Sequence, residues 1–166
     1  MTDKPNLLFI ITDQHRADHL GCYGNRIVQT PNIDGLAQSG TRFDRFYTAT
    51  PICMPNRATL MTGRMPSLHG VRHNGLPLSL TATTFVDVMA AAGYDTALIG
   101  KCHLQSINDN LPVIGMPEHD PGRSEPPPHL REARKPCTEE GRYDQELPST
   151  WAREPEFEPT LPYYGF

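Results

Sequence analysis

No stretch of this chain is apolar enough to cross a bilayer. The longest apolar run is Leu7-Leu8-Phe9-Ile10-Ile11, against the roughly 20 residues that a spanning helix needs. No basic block interrupts a slightly acidic balance of 15 Lys+Arg against 19 Asp+Glu, so neither nucleic acid nor a membrane surface is an expected partner. The first residues, Met1-Thr2-Asp3-Lys4-Pro5, lack the basic start and long apolar stretch of a secretion signal, and the expected location is cytoplasmic. None of the four cysteines, Cys22, Cys53, Cys102 and Cys137, forms a C-x-x-C pair. In a reducing compartment this argues against a disulfide framework and draws attention to a single reactive thiol. There is no internal repeat. Apolar residues make up 37% of the 166, low for a compact chain yet outside the disordered range, and the length suits about one domain.

Proline is plentiful but unevenly spread. Six of the 17 prolines precede residue 110 and eleven follow it. Prolines at the later density break helix and sheet pairing alike. Residues 108–166, with Pro126-Pro127-Pro128 at their centre, therefore read as a disordered tail or as a Pro-rich irregular excursion. The second reading, in which the excursion belongs to the same domain as residues 1–107, is the one adopted. Residues 1–107 alternate strand and helix signals. Residues 6–12 form a continuous apolar run of the kind found in a strand buried on both faces. Thr30-Pro31 opens a helix, with Thr30 as cap, that places Ile33, Leu36 and Ala37 on one face and stops at Gly40. Residues 41–48 read as a strand. Residues 55–62 read as a short helix with proline at its start and Gly63 at its end. Thr84-x-x-Asp87 is a capping-box pattern that starts a helix through Ala92, burying Phe85, Val88 and Met89, with Gly93 as its stop. Residues 94–99 are the next strand. Strands separated by helices imply an α/β fold with a mostly parallel sheet flanked by helices. Ligands of such sheets sit beyond the carboxyl ends of the strands. Asp13-Gln14-His15-Arg16 follows the first strand and Lys101-Cys102-His103 the last, so both polar clusters fall where chemistry is expected.

Between them lies Cys53-Met54-Pro55-Asn56-Arg57-Ala58-Thr59-Leu60-Met61-Thr62-Gly63-Arg64. Cys53 stands at a helix N-terminus, where free backbone N–H groups favour an anion. Arg57, four residues on, rises from the first turn on about the same side. A nucleophile, a fixed cation and helix N–H donors together suit attack on a tetrahedral oxyanion. The plainer alternative is a buried small hydrophobe at Cys53 and a surface charge at Arg57.

The string C-x-P-x-R followed by T-G-R resembles the signature of the sulfatase family, within the alkaline phosphatase superfamily. Residues 6–13 (NLLFIITD), Gly21-Cys22-Tyr23-Gly24, Thr30-Pro31-Asn32-Ile33-Asp34 and Gly100-Lys101-Cys102-His103-Leu104 are similar to sulfatase segments in the family's order, and Pro162-Tyr163-Tyr164-Gly165-Phe166 looks like a later one. The resemblance implies an alkaline phosphatase-like fold, incomplete in this chain, and hydrolysis of a small-molecule sulfate ester. It implies that Cys53 is oxidised to formylglycine by a formylglycine-generating or anaerobic maturating enzyme. One hydroxyl of the hydrated aldehyde then attacks sulfur, and the other expels sulfate. Arg57 would stabilise the diol oxygens, and Lys101 and His103 would hold the sulfate and the diol. Asp13 and Gln14 would bind a divalent cation, calcium foremost, with magnesium or manganese as alternatives. Asn74 is a candidate substrate ligand, or else a turn residue beside Gly75.

The sequence also departs from the family's pattern. Many sulfatases carry two adjacent aspartates where Asp13-Gln14 stands. The related phosphonate monoester hydrolases carry glutamine there and an asparagine at the place of Asn74, so a phosphonate monoester or phosphodiester hydrolase is the alternative activity. Met54 differs from the commoner small polar residue after the cysteine. The family's remaining metal ligands come from a later Asp-Asn or Asp-His, which Asp109-Asn110 imitates only superficially, since no strand precedes it. A fragment with about half a site is therefore expected, poorly active by itself and marginally folded; a non-catalytic truncated module is the other reading. His15, His19, His69 and His73 are expected to be exposed or hydrogen-bonded rather than ligands, a zinc site lacks the right spacing, and Met54, Met61 and Met65 are expected to fill the core.

Overall fold

The computed structural model describes residues 4–110, 142–159 and 163–166. Pro126-Pro127-Pro128, Cys137, Pro162 and most of the Pro-rich excursion lie outside the described residues. The chain divides into two compact units, Met1–Tyr47 and Thr48–Phe166.

The first unit holds two single-turn 3-10 helices, Ala17–His19 and Gly21–Tyr23, and helix α1, Pro31–Ser39. Its centre is polar. The Thr30 hydroxyl accepts a hydrogen bond from Gly21 N at 2.8 Å and donates to Asp34 Oδ1 at 2.9 Å, and Asp34 Oδ1 also accepts from Cys22 N at 2.7 Å. Thr30 is the cap residue of α1, as expected, but its side chain makes no cap bond to a backbone N–H of that helix; its oxygen accepts from Gly21 N instead. Glycine is required at position 21, because a Cβ there would lie 2.3 Å from Asp34 Oδ2. Tyr23 donates its hydroxyl to the Phe43 carbonyl at 2.7 Å, and the Arg42 guanidinium lies over the Tyr23 ring. The apolar face expected on α1 is uncovered, with Leu36 67% exposed.

The second unit contains α2, Cys53–Thr62; α3, Pro66–His69; α4, Phe85–Ala91; and α5, Pro148–Arg153. Helix α2 begins two residues before its proline, with Cys53 as first helical residue and Pro55 still in the first turn, where its missing N–H costs nothing. Gly63, at φ 65°, ends it. The capping box at α4 is present: Asp87 N donates to the Thr84 hydroxyl, and Thr84 N donates to the Asp87 carboxylate at 2.7 Å. That pair contributes about 1 kcal/mol. The face α4 buries is not the expected one. Val86 is buried, whereas Phe85 and Val88 are exposed, because the residues that cover α4 approach from the side of Thr84 and Val86. These are the chain's last residues. Thr84 Oγ1 lies 3.0 Å from the Tyr164 carbonyl, and Thr96 donates to the Gly165 carbonyl at 2.7 Å. Gly165, at φ 90°, would place a Cβ 2.6 Å from Asp87 N, so only glycine fits. The core gathers Met54, Ala58, Met61, Val71, Leu78, Val86, Leu104, Tyr163 and Tyr164. Tyr164 donates its hydroxyl to Leu78 O, and Leu78 N donates to Leu104 O at 2.9 Å. Met65, expected in the core, is 53% exposed, since it stands in the bend between α2 and α3.

Residues 6–12, 41–48 and 94–99 were expected as strands, and among the described residues no strand is formed. Leu8, Phe46 and Ile99 are among their exposed side chains. A strand exists through its ladder partner, and a two-sided apolar run needs cover on both faces. The described residues supply neither.

Candidate functional site

The second unit brings three of the residues singled out above to one sulfur atom. Cys53 opens α2 as its first helical residue. Arg57, one turn along, points Nε to Cys53 Sγ at 3.2 Å and donates Nη1–H to the Lys101 carbonyl at 2.9 Å. His103 places Nδ1 3.2 Å from the same sulfur. Arg57 and His103 are 9% and 6% exposed, so the cation and the imidazole are fixed groups rather than mobile surface chains. Arg57 is thus no surface charge, and it joins the cysteine helix to the Lys-x-His tip, 44 residues away in sequence.

The tip itself is constrained. His103 adopts φ 56°, a left-handed conformation that costs a non-glycine residue about 1 kcal/mol or more and tends to collect at functional sites. Gln14, beside Asp13, shares this feature at φ 53°. The strain at His103 is held by Glu146. Its Oε2 accepts from His103 N at 2.5 Å, and its Oε1 accepts from Leu104 N at 3.0 Å and Gln105 N at 2.9 Å. Tyr163 donates its hydroxyl to the same Oε1 at 2.7 Å. Consecutive backbone N–H groups around a left-handed residue form a concave anion seat, and here a side-chain carboxylate fills it. Burial and then the Glu146 charge push the Cys102 thiol up to about 12, so Cys102 stays a protonated, unreactive neighbour. Burial, followed by Glu146, likewise raises the Tyr163 phenol well above its ordinary range. Nothing in the sequence marked Glu146, whose role is written in backbone contacts that leave no pattern of residue types.

Asn74 accepts Met54 N–H on its Oδ1 at 3.2 Å. It does for the first turn of α2 what Ile52, the residue at the cap position, has no side-chain oxygen to do. Lys101 is exposed, with its carbonyl bound by Arg57. Asp13 and Gln14 lie in the first unit, exposed, after the first apolar run. Their adjacent carboxylate and amide oxygens are donors of the kind a hard divalent cation takes. Among the described residues no group of three His, Cys, Asp or Glu side chains is gathered to hold a metal. Asp109 accepts from the Ser149 hydroxyl at 2.6 Å, at the start of α5, which gives the superficial Asp-Asn a capping role. His15 and His19 are exposed, and His73 sits 2.9 Å from the Asn74 carbonyl. His69 is buried between Thr59 Oγ1 at 3.0 Å and Val71 N at 3.1 Å. Val71 N–H needs Nδ1 as acceptor, so Nε2 carries the proton toward Thr59. Burial lowers the pKa of His69 to about 4.

A helix-borne cysteine flanked by a buried guanidinium and an imidazole is an arrangement with the donors to receive an anionic tetrahedral group. The family follows from comparison: the model of the family described as Sulfatase matches residues 5–145, and the chain belongs to the sulfatase family. It is 39% identical over 105 residues to an N-acetylglucosamine-6-O-sulfatase of Bacteroides thetaiotaomicron, covering 63% of this chain and 19% of that protein. It is 42% identical over 118 residues to human Arylsulfatase D, with the same two coverages. A 32% identity to an Ulvan-active sulfatase of Formosa agariphila extends over 146 residues, 82% of this chain and 29% of that one. The likeness reaches the fold. The crystal structure of a sulfatase, yidJ, from Bacteroides fragilis superposes with a TM-score of 0.59 at 37% identity, over 64% of this chain and 25% of that one. This agrees with an alkaline phosphatase-like fold. The chain spans about a fifth of the length of the first two relatives.

Proposed function

We propose that this chain carries the nucleophile-bearing part of a sulfuric ester hydrolase, with Cys53 as the residue converted to formylglycine. The observation that supports it most is the convergence of Arg57 Nε and His103 Nδ1 on Cys53 Sγ, each at 3.2 Å, at the N-terminus of α2. The hydrated aldehyde supplies a nucleophilic oxygen to the sulfate ester when the modification is in place. Arg57 then holds that oxygen and offsets the charge gathering on the transferred group. His103, next to the same atom, is placed to hold and move a proton there. Lys101 adds a second cation toward the sulfate. Asn74 keeps the first turn of α2 in register and offers its amide to the substrate. Asp13 and Gln14 would hold a divalent metal, calcium foremost, which polarises ester oxygens. Its remaining ligands would come from chain outside these 166 residues. In the same proposal residues 1–107 and 108–166 belong to one catalytic α/β domain, and residues 6–12, 41–48 and 94–99 are strands of its mostly parallel sheet. A formylglycine-generating or anaerobic maturating enzyme would be the partner that converts Cys53.

Gln14 favours a second reading on a specific ground. A neutral oxygen in place of a carboxylate leaves the site one negative charge short, as in the phosphonate monoester hydrolases that Gln14 and Asn74 resemble, and phosphonate monoesters and phosphodiesters carry the same single negative charge as a sulfate ester, so a phosphonate monoester or phosphodiester substrate is the competing activity. The test is an assay of the complete protein, matured by co-expression, on matched aryl sulfate and aryl phosphonate monoesters with and without Cys53→Ala. Sulfate ester turnover that Cys53→Ala abolishes is the expected result. Phosphonate turnover alone would transfer the proposal to the second reading, and turnover that survives Cys53→Ala would end both.

A further inference from the structure

We propose that Glu146 is a positioning residue of this site, which holds the Lys101-Cys102-His103 tip in the one backbone conformation that brings His103 to Cys53. The inference rests on the reading of Cys53 and His103 as site residues and adds a residue that the motif did not contain. Its first support is coordination. Both carboxylate oxygens of Glu146 are engaged, by His103 N, Leu104 N, Gln105 N and the Tyr163 hydroxyl, at 2.5 to 3.0 Å. A carboxylate that accepts from three successive N–H groups fixes the orientation of three successive peptide planes, and the first belongs to the left-handed His103. The second support is register. Gln145, next to Glu146, donates its N–H to Gln105 Oε1 at 2.9 Å, and Gln105 Nε2 and Gln145 Nε2 both donate to the Arg142 carbonyl, at 3.1 and 2.7 Å. Gln105 and Gln145 are buried at 0% and 2% exposure, so the 142–146 segment is locked to the tip and Glu146 cannot slide from its seat. The third support is the chain of contacts this completes: Tyr163 to Glu146, Glu146 to the His103 backbone, His103 Nδ1 to Cys53 Sγ. The last residues of the chain thereby reach the sulfur through two intermediaries.

The test uses the 166-residue chain with Cys53 as the free thiol, so it stands apart from aldehyde formation and from turnover. Iodoacetamide alkylation of Cys53 is followed by mass spectrometry in the wild type, Glu146→Gln, His103→Gln and the double variant. Glutamine keeps the size of Glu146 and removes its charge. His103→Gln should slow Cys53 alkylation by about tenfold, through loss of the ring nitrogen that stands 3.2 Å from Sγ. Glu146→Gln should reproduce most of that loss, and the double variant should be no slower than His103→Gln, because both substitutions break one linkage. Amide proton resonances of His103, Leu104 and Gln105 should move upfield together in Glu146→Gln. Cys102 reports on folding and should stay unlabelled throughout. An alkylation rate in Glu146→Gln within about twofold of wild type would overturn the proposal, as would independent effects that multiply in the double variant. Labelling of Cys102 in Glu146→Gln with Cys53 unchanged would reduce Glu146 to a packing role.

Discussion

The two units hold their chemistry in opposite ways. In the second, Cys53, Arg57 and His103 are fixed by part-buried hydrogen bonds and by a core that runs from Met54 to Tyr164. In the first, Asp13 and Gln14 follow an apolar run in which Leu8 is 87% exposed, and α1 buries no residue. The surroundings of Cys53 are therefore organised by contacts that the described residues of the second unit supply, near and far in sequence. Asp13 and Gln14, the proposed metal donors, follow an apolar run that the described residues leave bare. The difference teaches that a family motif and a family strand carry different kinds of information. The motif pairs Cys53 with Arg57 within a single turn, while an apolar run states only what must cover it.

The comparison breaks most readily on apolar truncation. Leu78→Ala, in the buried core, should cost about 2–5 kcal/mol, read from urea midpoints. Leu8→Ala should change stability by less than about 0.5 kcal/mol. Equal losses would show that the first run is packed after all. Hydrogen exchange gives the same contrast residue by residue, with residues 6–12 expected to exchange fast and Leu78 and Gln105 slowly. Next in size is Gly165→Ala, which drives a Cβ against the α4 backbone at positive φ and should cost about 2–3 kcal/mol. His69 follows. Its folded pKa of about 4 lies below the ordinary 6.5, so the unfolded chain binds the extra proton between those values. The stability it contributes is complete above about 6.5 and is lost as pH falls toward 4, on the order of 1–2 kcal/mol once solvent screening is allowed for. His69→Gln should flatten the pH dependence of the urea midpoint over that window. The smallest effect has the opposite sign. Gly35→Ala, inside α1 with open space at its Cβ, should stabilise the first unit by about 0.5–1 kcal/mol.

Legibility in the sequence followed the range of the interactions. The capping box at Thr84 and Asp87, the stop at Gly63 and the pairing of Cys53 with Arg57 one turn on were readable because each lies within one helical turn. The meeting of His103 with Cys53 was anticipated from the family's order of segments and from the place of Lys101-Cys102-His103 after an expected strand, whereas the bond from Arg57 to the Lys101 carbonyl was not anticipated, since no periodicity joins residues 44 and 50 positions apart. The buried face of α4 was misjudged because its cover, Tyr164 and Gly165, arrives from the far end of the chain. Glu146 was invisible for a related reason. It binds backbone N–H groups, and those are common to every residue type. The expected strands were read from apolar runs, but pairing belongs to two segments at once, and neither composition nor alternation names the second; among the described residues none is formed.

The central claim, that Cys53 is the residue converted into the nucleophile, is tested most directly by the mass of its tryptic peptide after co-expression with a formylglycine-generating enzyme. The account predicts a peptide in which an aldehyde that reacts with hydrazide replaces the Cys53 thiol. An intact thiol at Cys53, under conditions in which the same enzyme converts a control peptide, would contradict it.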